Sequence, residues 1–289
     1  MSQYSLETLL LSFLEEWQYI KKRSPLTVRN YELYLRRFLR WSKVTKPSQI
    51  TDSLITNYRT YLKTLKGRQA KLDKKTINYH LIALRNFLQY LSTHNVSLPV
   101  TKSIKLTKVS PTQPTLPSSA ELTTLLRSVA SSRAPLIIKK RDQALISLML
   151  ETGLKLAIIA NLKIEQVKKN KISYEDHQGR HELSLSPTVI TNLKDYLTLR
   201  PDPNPFLFIS HDRAVGGREV KKPKPMTSRS VQRVIEKYAH AAGLELTAND
   251  LRRARLSQLY KQGLSEEEIK NKMGYTKRTS IKQLTGNSR

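Results

Sequence analysis

Between Pro99 and Pro117 the chain runs PVTKSIKLTKVSPTQPTLP. The stretch is rich in proline, serine and threonine and has no helical apolar repeat, so it reads as a linker rather than a core element. On both sides of it, apolar residues recur at helical spacing. A length of 289 residues also exceeds what one hydrophobic core usually serves, about 100–200 residues. The expected organisation is therefore a helical domain over 1–98, a linker over 99–117 carrying Lys102, Lys105 and Lys108, and a second domain over 118–289.

Before the break, Leu6, Leu9, Leu10, Phe13, Leu14 and Trp17 mark a first helix. Ser24-Pro25 punctuates, and Thr27 opens a second helix with Tyr31, Leu35, Phe38 and Leu39 on one side. Ser53–Leu65 is a third helix, and a polar, lysine-rich turn over Lys66–Lys75 follows it. Thr76–Leu91 is the fourth, with Ile77, Leu81, Leu84, Leu88 and Leu91 toward a core and Asn78, His80, Arg85 and Asn86 on a polar side. After the break, Ser118 and Glu121 form a capping box that starts the second domain. Arg141–Glu151 predicts a strongly apolar helix ended by Thr152-Gly153, and Leu156–Leu162 a short one. Lys171–Leu185 is the one strand-like region, with Gly179 as a hairpin turn. Helices over Val189–Leu199 and Ser228–Ala242 flank a basic loop, Arg213–Arg229. The fold class is mainly α with a small β-sheet, α+β, with an all-helical first domain.

Charge is the strongest compositional signal. A formal net charge of +28 and a pI near 10.2 attract polyanions, of which nucleic acid is the commonest. A merely basic soluble chain or a membrane-surface binder are the alternatives. A membrane span would need about 20 apolar residues, and Ala144–Leu162 is interrupted by Glu151 and Lys155. Leu9–Leu14 is too short for a secretory signal and follows an acidic start. The absence of cysteine excludes disulfides, thiolate metal sites and thiol catalysis. No cofactor or metal is expected, and the expected location is the cytoplasm, with the nucleoid.

The most informative motif is Thr247–Leu284. Arg252, Arg253 and Arg255 cluster at the start of a helix that Gly263 ends. Ser265 and Glu268 then cap a second helix that Gly274 closes. This frame resembles the tyrosine recombinase (phage-integrase, Xer-type) family, and the resemblance extends over nearly the whole chain. It includes the Ser24-Pro25-x-Thr27 entry, the Arg141-Asp142-x-Ala144 helix and the Thr152-Gly153-Leu154 turn. The resemblance implies an N-terminal SAM-like core-binding domain and a mixed catalytic-type domain clamping opposite sides of duplex DNA. It also implies a tyrosine nucleophile, two phosphate-binding arginines, a hairpin lysine as general acid, and histidines around the phosphate.

The sequence departs from most of that set. Lys155 stands where the first arginine belongs, and lysine cannot reproduce the guanidinium fork. Ile158 replaces an acidic residue, and no lysine lies over His177–Arg180. Asn249 and Tyr275 stand at the two histidine positions, and around Gln283–Leu284, where the nucleophile belongs, there is no tyrosine. Arg252 alone is intact. The sequence runs five residues past Leu284, where the family continues into a C-terminal helix, so cyclic assembly through that helix is not expected.

The leading expectation is a duplex-DNA-binding, catalytically degenerate recombinase, an accessory or DNA-binding factor. Its partners would be double-stranded DNA and an active paralogue, or itself as a DNA-dependent oligomer. The alternative is a working recombinase or topoisomerase using Tyr275 or a tyrosine given in trans, and a basic scaffold is the third reading. Expected DNA contacts are Lys22, Arg23, Lys75, Arg85, Lys102, Lys105, Lys108, Arg218, Lys221, Lys222, Lys224, Arg229, Arg252 and Arg253.

Overall fold

The structure, a computed structural model, describes residues 5–66, 70–100, 104–109, 116–176, 179–211 and 223–273. Lys102, Arg218, Lys221, Lys222, Tyr275 and Leu284 lie outside the described residues, as do Gly274 and the hairpin positions 177–178. The chain divides into two compact units, 1–111 and 112–289.

In the first unit, α1 spans Leu6–Glu15, α2 Pro25–Ser42, α3 Asp52–Thr64 and α4 Lys74–Thr93. Each start is set by a side chain that takes one of the backbone N–H groups a helix leaves unbonded. Ser5, Ser24, Thr51 and Asp73 accept from the N–H groups of Thr8, Thr27, Leu54 and Thr76. Pro25 at the first position of α2 has its φ preset for a helix and no N–H to satisfy. Aromatic side chains tie the helices together. Phe13 of α1 lies 5.4 Å from the Phe87 ring and 5.3 Å from the Tyr90 ring of α4. Phe38 of α2 meets Tyr58 of α3 edge-on at 5.0 Å. Fully burying a side chain of this size stabilises by about 1.5–3 kcal/mol.

Two expectations for α4 change. The helix begins at Lys74, because Asp73 is its cap, so Lys74 and Lys75 belong to the helix rather than to the preceding turn. His80 is not on a solvated side but buried, at 2 % exposure. Its Nε2 lies 2.8 Å from an Arg37 Nη and its Nδ1 2.9 Å from the Thr76 carbonyl. A guanidinium can only donate, so Nε2 accepts and Nδ1 carries the proton that bonds Thr76. Burial lowers the His80 pKa, the Thr76 bond opposes that, and the Arg37 charge lowers it further.

The second unit holds α5 Ser119–Ala130, α6 Leu136–Thr152, α7 Leu156–Asn161, the strands β1 Val167–Lys168, β2 Lys171–Asp176 and β3 Gly179–Ser184, then α8 Pro187–Thr198, α9 Ser228–Ala241, α10 Ala248–Lys261 and α11 Glu266–Met273. The sheet is antiparallel in the order β1-β2-β3, and its hairpin register pairs Asp176 with Gly179 and Lys171 with Ser184. The two-residue strand β1 was not expected. It is too short to show alternation, and only pairing with β2 defines it. Helix α6 packs against α5, α8 and α10 and buries residues on all sides, Leu145, Ile146, Leu148 and Met149 among them. It starts at Leu136, five positions before the expected Arg141, directly after Pro135. Arg141 and Asp142 form a buried ion pair at 2.7 Å. Tyr238 of α9 donates to Asp142 at 2.9 Å, and Arg141 donates to the Ile209 carbonyl at 3.2 Å. The Arg-Asp pair therefore fastens α6 to its neighbours.

Candidate nucleic-acid interface

The intact arginine of the Thr247–Leu284 stretch sits where three chain segments meet. Helix α6 ends at Gly153, in the left-handed region at φ 63°, with its N–H bonded to the Met149 carbonyl at 2.8 Å. That conformation suits glycine because a Cβ there costs about 1–2 kcal/mol. The space agrees: a Cβ on Gly153 would lie 3.3 Å from Cβ and Cγ of Arg255 and would collide with the Met273 methyl. Leu154 then plunges into the core, and Lys155, half-buried, caps α7 through its carbonyl.

Helix α10 is opened by a reciprocal box in which the Asp250 carboxylate accepts from the Thr247 N–H at 2.7 Å and its hydroxyl at 2.5 Å. This places Asn249 exposed on the first turn and Leu251 in the core. Arg252 follows, and its Nε donates to the Gly153 carbonyl at 2.7 Å. One Nη donates to the Met273 carbonyl at 3.5 Å. The guanidinium thus lies at the C-terminal ends of α6 and α11, where the helix dipole favours positive charge. The hairpin closes the group. Tyr174 of β2 donates to the Lys272 carbonyl at 3.3 Å and stacks on His181 of β3 at 4.9 Å. Arg252, the ends of α6 and α11 and the hairpin are therefore brought together, with Lys155 two residues beyond Gly153.

Arg253 and Arg255 take other roles. Arg253 forms an ion pair with Asp250, and Arg255 donates to Gln258 at 2.9 Å. Each has its Nε buried without a hydrogen-bond partner. Burial lowers the Arg255 pKa, with the Glu151 carboxylate opposing the effect. Arg180, on β3 opposite Glu175, is exposed. An open depression of about 650 Å³ on this side of the sheet is lined by Lys168, Lys169, Lys171, Arg180, Glu175 and Glu182. Its shallow, charged character suits an extended polar partner better than an enclosed small molecule.

The other expected phosphate contacts that lie among the described residues are on the surface. Lys22 and Arg23 lie in the turn before α2, where Arg23 also sits 5.4 Å over the Trp17 ring. Lys75 and Arg85 are exposed on α4, Lys105 and Lys108 on the stretch after it, Lys224 ahead of α9 and Arg229 on its first turn. Among the described residues no group of three or more His, Asp or Glu could hold a metal, and no helix is long and apolar enough to cross a membrane.

Comparison with known proteins decides the family. The model of the phage integrase family matches residues 119–287, and that of the phage integrase N-terminal SAM-like domain matches 10–95. The chain belongs to the phage integrase family. A tyrosine recombinase, XerA, from Pyrococcus furiosus is 21% identical over 280 residues, covering 95% of this chain and 88% of the relative. The solved pre-cleavage complex of the site-specific recombinase XerH with its difH substrate aligns with a TM-score of 0.68 at 18% identity, over 96% of this chain and 80% of that one. A lambda integrase tetramer bound to a Holliday junction aligns at 0.71 and 14% identity, over 99% and 79%. Phage integrase membership accounts for the two units, helical and mixed. The match through residue 287 also takes in the positions of Asn249, Arg252, Tyr275 and Leu284.

Two groups escaped the sequence reading. Asn78 and Arg59 bond the backbone of residues 105–107, and Arg37 is held by His80. The first had one signal, the alternation Ile104, Lys105, Leu106 inside the proline-rich stretch. The second had none, since its partners are far apart in sequence.

Proposed function

We propose that this member of the phage integrase family binds duplex DNA and does not cut it, serving as a DNA-binding or accessory factor beside an active relative or further copies of itself. The reading is carried by one observation. Within the stretch matched by the family, no tyrosine stands around Gln283–Leu284, where the resemblance puts the nucleophile, and the only tyrosine after Tyr260 is Tyr275. Leucine offers no atom that can attack a phosphodiester, and orientation by neighbouring groups cannot replace a covalent nucleophile. Lys155 in place of an arginine removes a planar two-donor grip on the phosphate. DNA binding needs none of this chemistry. It is supported by the +28 charge, the exposed Lys and Arg on both units, and the structurally similar recombinases solved with a difH substrate and with a Holliday junction.

A second reading, strand cleavage by Tyr275, is favoured by the presence of that one tyrosine hydroxyl in the matched stretch after Arg252 other than Tyr260. Incubation with a nicked suicide duplex, followed by a denaturing gel, separates the two. The expected result is a mobility shift under native conditions and no covalent adduct. A wild-type adduct that Tyr275→Phe abolishes overturns the binding-only reading.

A further inference from the structure

In residues 104–109, Ile-Lys-Leu-Thr-Lys-Val, Lys105 stands between the apolar Ile104 and Leu106, a period-two pattern that ends at Thr107-Lys108. Period two is the signature of an extended segment with one covered face. Ile104 is 7 % exposed within the first unit's core, Leu106 packs against the same core, and Lys105 and Lys108 face solvent. The backbone is fastened at two points. The Asn78 side-chain amide donates to the Thr107 carbonyl at 2.8 Å and accepts from the Thr107 N–H at 3.0 Å. It takes both polar groups of one residue, as a neighbouring strand would. The Arg59 guanidinium donates to the Lys105 carbonyl. Asn78 and Arg59 come from α4 and α3, so the strap is held by two helices of one unit.

We propose that Asn78 and Arg59 are positioning residues that turn residues 104–109 into a fixed edge of the first unit, so that Lys105 and Lys108 form part of its phosphate-contacting surface. This rests on the duplex-binding reading above. A backbone ordered before binding pays no ordering entropy when its lysines meet phosphate. Asn78 carries no charge and both ends of its amide are engaged by Thr107, so its effect on DNA affinity runs through the strap.

The test uses the full chain and a mixed-sequence duplex, with affinity measured against salt and trypsin cleavage after Lys105 and Lys108 followed in the free protein. Replacing both lysines by glutamine should flatten the plot of log affinity against log salt by about 1.8, two contacts at ~0.9 each. Asn78→Ala should speed cleavage at both lysines and lower affinity roughly two- to tenfold for each lysine released. In the Lys105→Gln/Lys108→Gln background the same change should cost nothing more. An unchanged slope in the lysine variant overturns the proposal, as does faster cleavage in Asn78→Ala with unchanged affinity. Unchanged cleavage overturns it too. If wild-type protein shows no salt-dependent duplex binding, the underlying reading fails instead, and the cleavage assay still reports on the strap.

Discussion

Arg252 has two possible employments, and a pair of substitutions separates them. In the structure its Nε makes a short bond to the Gly153 carbonyl at 2.7 Å, while the bond to Met273 at 3.5 Å is at the limit of hydrogen-bond length. Arg252→Met removes the strong bond and leaves the carbonyl of a buried residue without that donor, a loss of about 2–3 kcal/mol. For a unit of this size each kcal/mol lowers the melting temperature by roughly 2–4 °C, so calorimetry should record a fall of roughly 4–12 °C. That loss is expected whether or not Arg252 touches DNA. The salt dependence of duplex binding makes the distinction. If the guanidinium also contacts a phosphate, Arg252→Met should reduce the slope of log affinity against log salt by about 0.9, the value of one contact. Arg252→Lys keeps the point charge and loses the fork, so the slope should persist while affinity falls. A slope in Arg252→Met equal to that of wild type, alongside the melting shift, refutes the phosphate role and leaves Arg252 as a cap of two helix ends.

Gly153→Ala should destabilise by about 1–3 kcal/mol, from the left-handed backbone and the displacement of Arg255 and Met273, and should weaken DNA binding without altering its salt slope. A melting temperature equal to wild type would contradict the close packing around this turn. His80 gives a pH dependence. Its folded pKa is lowered, so the unfolded chain binds more protons in the interval just below the ordinary histidine value. Stability should therefore decline as pH falls through about 6.5 and level off below the lowered value. His80→Gln should remove that component of the Tm-against-pH curve, and identical curves for the two proteins would refute it.

Several helix starts and ends were legible in the sequence because their chemistry is local, although the starts of α4 and α6 lay upstream of the expected residues. Ser24-Pro25, Ser118 with Glu121, Ser265 with Glu268, and Gly153 each act on backbone groups within a few residues. The apolar periods that followed them were enough to place a helical half and a mixed half. The family frame around Arg252 was legible for a related reason, since the motif is a spacing along the chain. What the tertiary structure alone decided is where long side chains are spent. Arg252 bonds a carbonyl 99 residues away, Asn78 a backbone 29 residues away, and His80 an arginine 43 residues away. Arg253, read as a phosphate contact, is turned to Asp250. A guanidinium or amide carries the same donors wherever it stands, and only packing determines which acceptor comes within reach. The sequence by itself therefore determined the elements and the charge. The assembled units decided that Ile104 and Leu106 join the first core, and that Arg252 bonds carbonyls at two helix ends.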